Sequence, residues 1–387
     1  MSQLVQPSQR IDALDIIRGF AIFGIFFVNV PDMIGNGVSF ATSYTGAGAM
    51  IRLLYDMFIQ TKFYTIFSFL FGLGFYLFMQ SAARRALPVY RLFTRRLLLL
   101  LLIGIAHYVL LWQGDILHAY GLFGFLLLLF YKRSAKTILT WSITLLSLYA
   151  LLIVLLGLAA SYTDASGDTI GLFPHVPDMR MRINHLFSNG LENLSLLVFE
   201  VLGLFLLGLY AGKKRWFERL HLYQGAIKRL QWISAGFTLL LFIPMVAYYA
   251  THPIYNTLQN YGYTHLTGKT LAVFYVCTLL RLIHRFGSYR FQGLAAVGRM
   301  ALTNYLTQTL LTMGLLRLVW NDAGTAPLWM GTIYAVVILI VQTFCSKLWL
   351  RFYQMGPVEW IWRAGTYGQF SPLRHKSSAN QEPKRGR

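Results

Sequence analysis

Residues 95–133, RRLLLLLLIGIAHYVLLWQGDILHAYGLFGFLLLLFYKR, decide how the chain folds. Two arginines open the stretch, Lys132 and Arg133 close it, and two apolar runs over 97–113 and 115–131 meet at Trp112-Gln113-Gly114-Asp115. A bilayer-spanning helix needs about 17–25 apolar residues, so each run is long enough to cross once. With cations at both outer ends and the polar turn between, the stretch reads as a helix that crosses, turns and returns.

Outward from this hairpin the same grammar repeats. Apolar segments recur at 11–31, 58–80, 137–160, 195–211, 230–250, 268–286, 296–319 and 328–350. The expectation is an all-α polytopic membrane protein of about ten transmembrane helices, one helical domain over residues 1–370. Residues 161–194 are expected to form a long outer loop and 371–387 a basic cytoplasmic tail. Composition agrees: 56% hydrophobic and 12% charged residues stand against the roughly 25% charged of soluble domains, and the mean hydropathy is +0.52. Disorder is excluded by 16% aromatics. Two cysteines, Cys277 and Cys345, each inside an apolar run, define no disulfide framework.

The net charge of +20 raises the question of nucleic acid. Its distribution gives a different reason. On a ten-span topology, 28 of the 34 Lys and Arg residues fall on the side of the termini, leaving Arg52, Lys62, Arg180, Arg182, Lys269 and Arg317 opposite. Positive loops stay inside, so both termini are expected in the cytoplasm. The basic loops are expected to meet anionic lipid rather than nucleic acid. No small-residue cleavage site follows Gly19–Val30, so the first segment reads as a retained helix.

Motifs of soluble enzymes are missing: there is no phosphate-cradling loop, no H-E-x-x-H, no C-x-x-C and no G-x-S-x-G. No metal is expected. Gly72 and Gly74 read as small residues for helix packing. What remains is polar chemistry at membrane depth, which is expensive to bury and therefore a functional candidate. His107 lies near the end of the first arm of the hairpin, and a reversal at Gly114 brings Asp115 back toward it. A carboxylate that orients a histidine makes it a competent base. Asn29, Asp56, Lys62 and Glu200 cluster near the same side. Asn304, Gln308 and Thr312 repeat every four residues, a polar stripe that either glues helices or lines a cavity. Asp15 and Arg18 are spaced to pair.

The motifs as a set resemble the YeiB-like family of bacterial multipass membrane proteins. They are Arg10-Ile-Asp-Ala-Leu-Asp15-Ile-Ile-Arg18-Gly19 through Asn29, Lys62-Phe63 with Phe67-Ser68 and Leu70-Phe71-Gly72, and the His107/Gly114-Asp115 segment. Gly298-Arg299-Met300-Ala301-Leu302-Thr303-Asn304-Tyr305 and Gly356-Pro357-Val358-Glu359-Trp360 complete the series over nearly the whole chain. This family of unknown function is distantly similar to membrane acyltransferases of the heparan-glucosaminide N-acetyltransferase type. The resemblance implies a bacterial inner-membrane enzyme that moves an acyl group from cytosolic acyl-CoA, or acetyl-CoA, to a glycan or lipid acceptor at the outer face. The relative's histidine follows its first helix. This sequence has none between Asn29 and Lys62, so the role falls to His107. On that reading Asp115 orients His107, while Arg18, Arg95, Arg96 and Arg299 hold the CoA phosphates. Asn29, Lys62, Asn304 and Gln308 are the expected acceptor contacts. A second copy of the chain is a candidate partner. The rival expectation is a secondary or lipid transporter using the same polar residues.

Overall fold

The computed structural model describes residues 12–34, 43–162, 179–188, 190–319 and 328–375. Among them the chain is helical almost throughout: α1 (Asp12–Met33), α2 (Gly46–Phe58), α3 (Lys62–Arg84), α4 (Val89–Leu110), α5 (Leu117–Phe130), α6 (Ala135–Tyr162) and α7 (Met179–Ser188) come first. After them come α8 (Gly190–Lys213), α9 (Gln224–Thr251), α10 (Tyr261–Phe286), α11 (Gln292–Arg299), α12 (Ala301–Leu318), α13 (Leu328–Phe352) and α14 (Pro357–Tyr367). A two-residue strand pair, Ser43–Tyr44 against Tyr255–Asn256, joins the start of α2 to that of α10.

The fold is all-α and of membrane-protein type, as expected. Eight helical stretches among the described residues are long and apolar enough to cross a bilayer. The other two expected spans are helices of a different kind. With 14 residues, α5 rises about 21 Å, short of a hydrocarbon core of about 30 Å. The segment 296–319, expected as one helix, is broken at Met300 into α11 and α12. Two contacts account for the break. Gly298 and Gly19 let α11 and α1 touch backbone to backbone, since a side chain at either would meet a carbonyl oxygen of the other helix. The freed N–H groups of Leu302 and Thr303 are capped by the Glu359 carboxylate of α14.

Three further features lie outside the expected spans. Residues 46–58 form a helix that leads into α3 through Thr61, held in the left-handed region at φ 68° by a hydrogen bond from its hydroxyl to the Thr264 carbonyl, 2.8 Å. The expected outer loop contains α7, whose Arg182 is buried and donates to the Leu111 carbonyl, 3.0 Å, so α7 is folded onto the end of α4. The basic tail is not free from its start: Gln354 and Leu373, and Phe352 and His375, are joined by backbone hydrogen bonds. The rest of that loop and tail, 163–178 and 376–387, lie outside the described residues.

The longest contacts run α3 along α8 and α6 along α8, α1 along α11, α10 along α9 and α4 along α5. Gly72 serves this packing, as a side chain there would strike the Phe205 carbonyl of α8. Gly74 does not, since a Cβ there would meet nothing within 4 Å.

Candidate functional site

Folding the hairpin brings its polar groups to one point. Because Gly104 has no side chain, the start of α5 lies against α4; a Cβ there would strike the His118 backbone nitrogen. Asp115, on the connection between the helices, is thereby turned inward, and its side chain has no exposure. Its Oδ1 lies 3.1 Å from His107 Nδ1 and accepts from the Tyr305 hydroxyl at 3.2 Å. Its Oδ2 accepts from His118 Nδ1 at 3.1 Å and from the His118 backbone N–H at 3.0 Å. His107 is buried, and its approach to Oδ1 is out of line for a hydrogen bond. Neither of its ring nitrogens has a hydrogen-bond partner among the described residues. His118, at 13% side-chain exposure, stands edge-on to Tyr108, whose hydroxyl meets His185 of α7 at 2.8 Å.

A cavity of about 350 Å³ runs from Arg18, Arg96, Arg299, Glu359 and Trp362 to Ile116, Leu117 and Tyr305. Phe67, Leu70, Phe71, Phe75 and Leu100 are among its apolar walls. At the basic end, Arg96 stacks on Trp362 with 3.5 Å between guanidinium carbon and ring centroid, and Trp362 Nε1 donates to the Arg96 carbonyl. Arg18 pairs with Asp15 at 2.8 Å, and Arg299 donates to the Gln354 carbonyl at 3.0 Å. Burial raises the Glu359 carboxyl above the usual range, with the hydrogen bonds from Thr303 and Leu302 opposing. At the far end Tyr305 is shared: its ring lines the cavity and its hydroxyl holds Asp115. On α4, Phe93, Arg96, Leu100 and His107 follow one helical stripe, so His107 continues the cavity wall beyond Tyr305 without lining the cavity itself.

Of the residues expected from sequence, His107 and Asp115 come together, and Arg18, Arg96 and Arg299 come together. Arg95 does not join them; it is half-buried, lines no described cavity, and its guanidinium lies near Gly368. The expected acceptor contacts are elsewhere. Asn29 is half-buried and lines neither described cavity. Asn304 donates to the Val297 carbonyl and Ser346, and Gln308 to Gln342, so the stripe on α12 is glue to α11 and α13. Lys62 has 0% exposure and donates to the Asp56 carbonyl at 2.6 Å and Thr267 at 3.0 Å. It pins the α2–α3 turn to α10. Sequence reasoning gave no site role to His118, Tyr305 or Glu359. His118 had a signal, its spacing of three from Asp115 at a helix start. Tyr305 and Glu359 act across helices, which spacing does not reveal.

A second buried polar cluster lies on the same side of the bundle. Glu200 of α8 forms an ion pair with Lys269 of α10 and accepts the Tyr64 hydroxyl on both oxygens, 2.8 Å each. His265 receives Tyr149, and Arg52 pairs with Asp56 at 2.9 Å. A cavity of about 240 Å³ between α6, α9 and α10 touches Tyr149, His265 and Lys269.

Comparison with known proteins gives a consistent set. A family described as "Protein of unknown function (DUF418)" matches residues 211–369. The uncharacterized protein YxaH of Bacillus subtilis is 32% identical, over 97% of this chain and 100% of its own length. An uncharacterized 39.9 kDa protein from the amylase 3' region of Bacillus acidopullulyticus is 32% identical over 96% of this chain and 98% of its own. The uncharacterized protein YeiB of Escherichia coli is 28% identical over 96% of this chain and 100% of its own.

Proposed function

The chain belongs to the YeiB-like family of bacterial membrane proteins, and from that premise we propose that it is a transmembrane acyltransferase of the inner membrane. It takes an acyl group from cytosolic acyl-CoA or acetyl-CoA and passes it to a glycan or lipid acceptor at the outer face. The observation that carries this reading is the cavity: arginines at one end, apolar walls, and at the other end a tyrosine bonded to Asp115.

With both termini cytoplasmic, as the charge distribution favours, Arg18, Arg96 and Arg299 face the side where CoA is found. Guanidinium groups bind phosphate in two-pronged fashion. A space of about 350 Å³ takes the slender pantetheine arm and leaves the nucleotide at the mouth. From Arg96 to His107 is about 16 Å of helix rise, which places the thioester near the histidine once Tyr305 yields. The acceptor hydroxyl or amine attacks the thioester carbon, and His107 Nε2 takes its proton. As the carbon–sulfur bond breaks, that proton returns to the leaving thiolate. Asp115, 3.1 Å from the imidazole, supplies the negative charge that favours the imidazolium formed in this step. A secondary or lipid transporter is the second reading, and the Glu200–Lys269 pair at membrane depth favours it.

Purified protein with labelled acetyl-CoA and a cell-envelope extract tests the first reading, which expects label to move to the acceptor pool. No transfer with acyl-CoA of any chain length moves the assignment to the transporter. Orientation is tested in intact cells, in a background with Cys277 and Cys345 replaced, by an impermeant thiol reagent. Ser166→Cys is expected to label and Ser377→Cys not; the reverse pattern inverts the topology and removes the acyl-CoA argument.

A further inference from the structure

Two glycines of α3 stand two residues apart, and only one has a packing reason. A side chain at Gly72 would strike α8, whereas a Cβ at Gly74 would meet nothing within 4 Å. The backbone does not require a glycine there either, because Gly74 lies inside the helix and its φ is not positive. Glycine in a helix interior is less stable than alanine, since it gives up more backbone freedom on folding. Neither the helix nor its neighbours explain the missing side chain.

What Gly74 does border is the cavity with the arginines at its mouth. Phe67, Leu70, Phe71, Gly74 and Leu77 line it from one helical stripe of α3, so Gly74 is the small member in a row of large ones. From Phe67 to Leu77 the stripe covers about 15 Å of helix rise. The turn on its deep side is filled by rings: Phe71 stacks on Phe205 with centroids 4.5 Å apart and meets Tyr120 edge-on at 5.5 Å. The turn toward the mouth is filled as well, with Phe78 at 5.5 Å from Phe93 and the Arg96 guanidinium 5.3 Å from its ring. Gly74 lies between these two crowded turns, and the direction of its absent side chain opens into the cavity.

We propose that Gly74 sets the width of this cavity: the absent side chain leaves room for one unbranched chain, headed by phosphate at Arg18, Arg96 and Arg299, to reach Tyr305. The ligand class follows from the two ends and the volume. Guanidinium groups select a phosphate-bearing head. Apolar walls take a chain, and about 350 Å³ is at the low end of small-molecule sites, which suits one chain rather than the paired tails of a phospholipid. The identity of that chain rests on the acyl-transfer reading, on which it is the pantetheine arm of acyl-CoA. A large side chain at position 74 would take the same space, and a packed site does not yield it cheaply. Gly74 is thus a specificity-determining residue that holds neither the head nor the reacting atoms.

The test is Gly74→Cys in purified protein with Cys277 and Cys345 replaced, read by the rate of reaction with methyl methanethiosulfonate. The introduced thiol should react in the folded protein, and acetyl-CoA well above its Kd should slow the reaction at least about tenfold. The nucleotide 3′-phosphoadenosine 5′-diphosphate, which is the head of CoA without its arm, should leave the rate nearly unchanged. Gly74→Phe should weaken acetyl-CoA binding at least about tenfold. It should leave binding of the nucleotide within about twofold, because the head sits away from position 74. A thiol that does not react, a rate that no ligand slows, or a Gly74→Phe protein that binds acetyl-CoA as wild type does overturns the proposal. The thiol experiment decides even if Gly74→Phe does not fold. Protection by dodecyl phosphate and not by acetyl-CoA would uphold the role of Gly74, give the chain to a single-chain lipid phosphate and remove the acyl-CoA reading.

Discussion

The two buried polar clusters of this protein look alike in composition and differ in the charges they hold and in the cavity beside them. Around Glu200 the charges are fixed and opposed: Lys269 and Tyr64 meet Glu200, Arg52 meets Asp56, and Lys62 meets Asp56 and Thr267, although Arg52 Nε and Nη1 make no hydrogen bond among the described residues. Around Asp115 an imidazole stands 3.1 Å from each carboxylate oxygen, and Tyr305 connects the group to a cavity with arginines at its other end. A cluster of fixed, opposed charges holds helices together. On the acyl-transfer reading, the cluster with imidazoles on a carboxylate, joined through Tyr305 to a cavity with a basic end, is the one that does chemistry.

That contrast sets the expected size of each perturbation. The largest is at the base: His107→Ala should lower acyl transfer by about 10²–10⁴-fold with the protein still expressed, and Asp115→Asn should fall between it and wild type. Transfer that survives His107→Ala breaks the distinction between the clusters. Next comes Glu200→Gln, which strands the buried Lys269. It should cost about 3–5 kcal/mol in thermal unfolding while the protein that remains folded transfers as before. A selective loss of turnover there, with stability kept, would instead make the second cluster a working site and favour the transporter.

Smaller effects sharpen the comparison. Removing one charge-assisted phosphate contact is worth about 1.5–3 kcal/mol, so Arg96→Gln or Arg299→Gln should weaken CoA binding by at least about tenfold with little change in kcat. Arg95→Gln, outside the cavity, should do less. Unchanged affinity in all of them would reduce the basic end to a lipid-headgroup contact. The smallest is Gly74→Ala, which meets nothing within 4 Å and should leave stability unchanged. Gly72→Ala, which strikes α8, should destabilise the fold by more than about 1 kcal/mol.

Several of these distinctions were legible in the sequence. The helices followed from run length, and the meeting of His107 with Asp115 from a reversal at Gly114, because each depends on residues close together in the chain. The pairing of Asp15 with Arg18 is local in the same way. The division of one helix into α11 and α12 was not legible, since the Glu359 carboxylate that caps α12 comes from another helix more than fifty residues on. Nor was the difference between Lys62, which donates to Asp56 and Thr267, and His107, which stands beside the Asp115 carboxylate. Both read as costly polar residues at membrane depth.

The sequence by itself determined the class of the protein and the position of its long apolar helices. Apolar length and the placement of cations are one-dimensional properties, and the cost of burying polar backbone in lipid leaves a chain of this composition little but helices. Only the tertiary structure decided which polar groups were already satisfied. A hydrogen bond is spent at a distance of about 3 Å between atoms whose separation along the chain is arbitrary. Tyr305 with Asp115, Lys62 with Thr267, and Arg96 with Trp362 each join residues far apart in sequence. The site is therefore a property of how the helices meet.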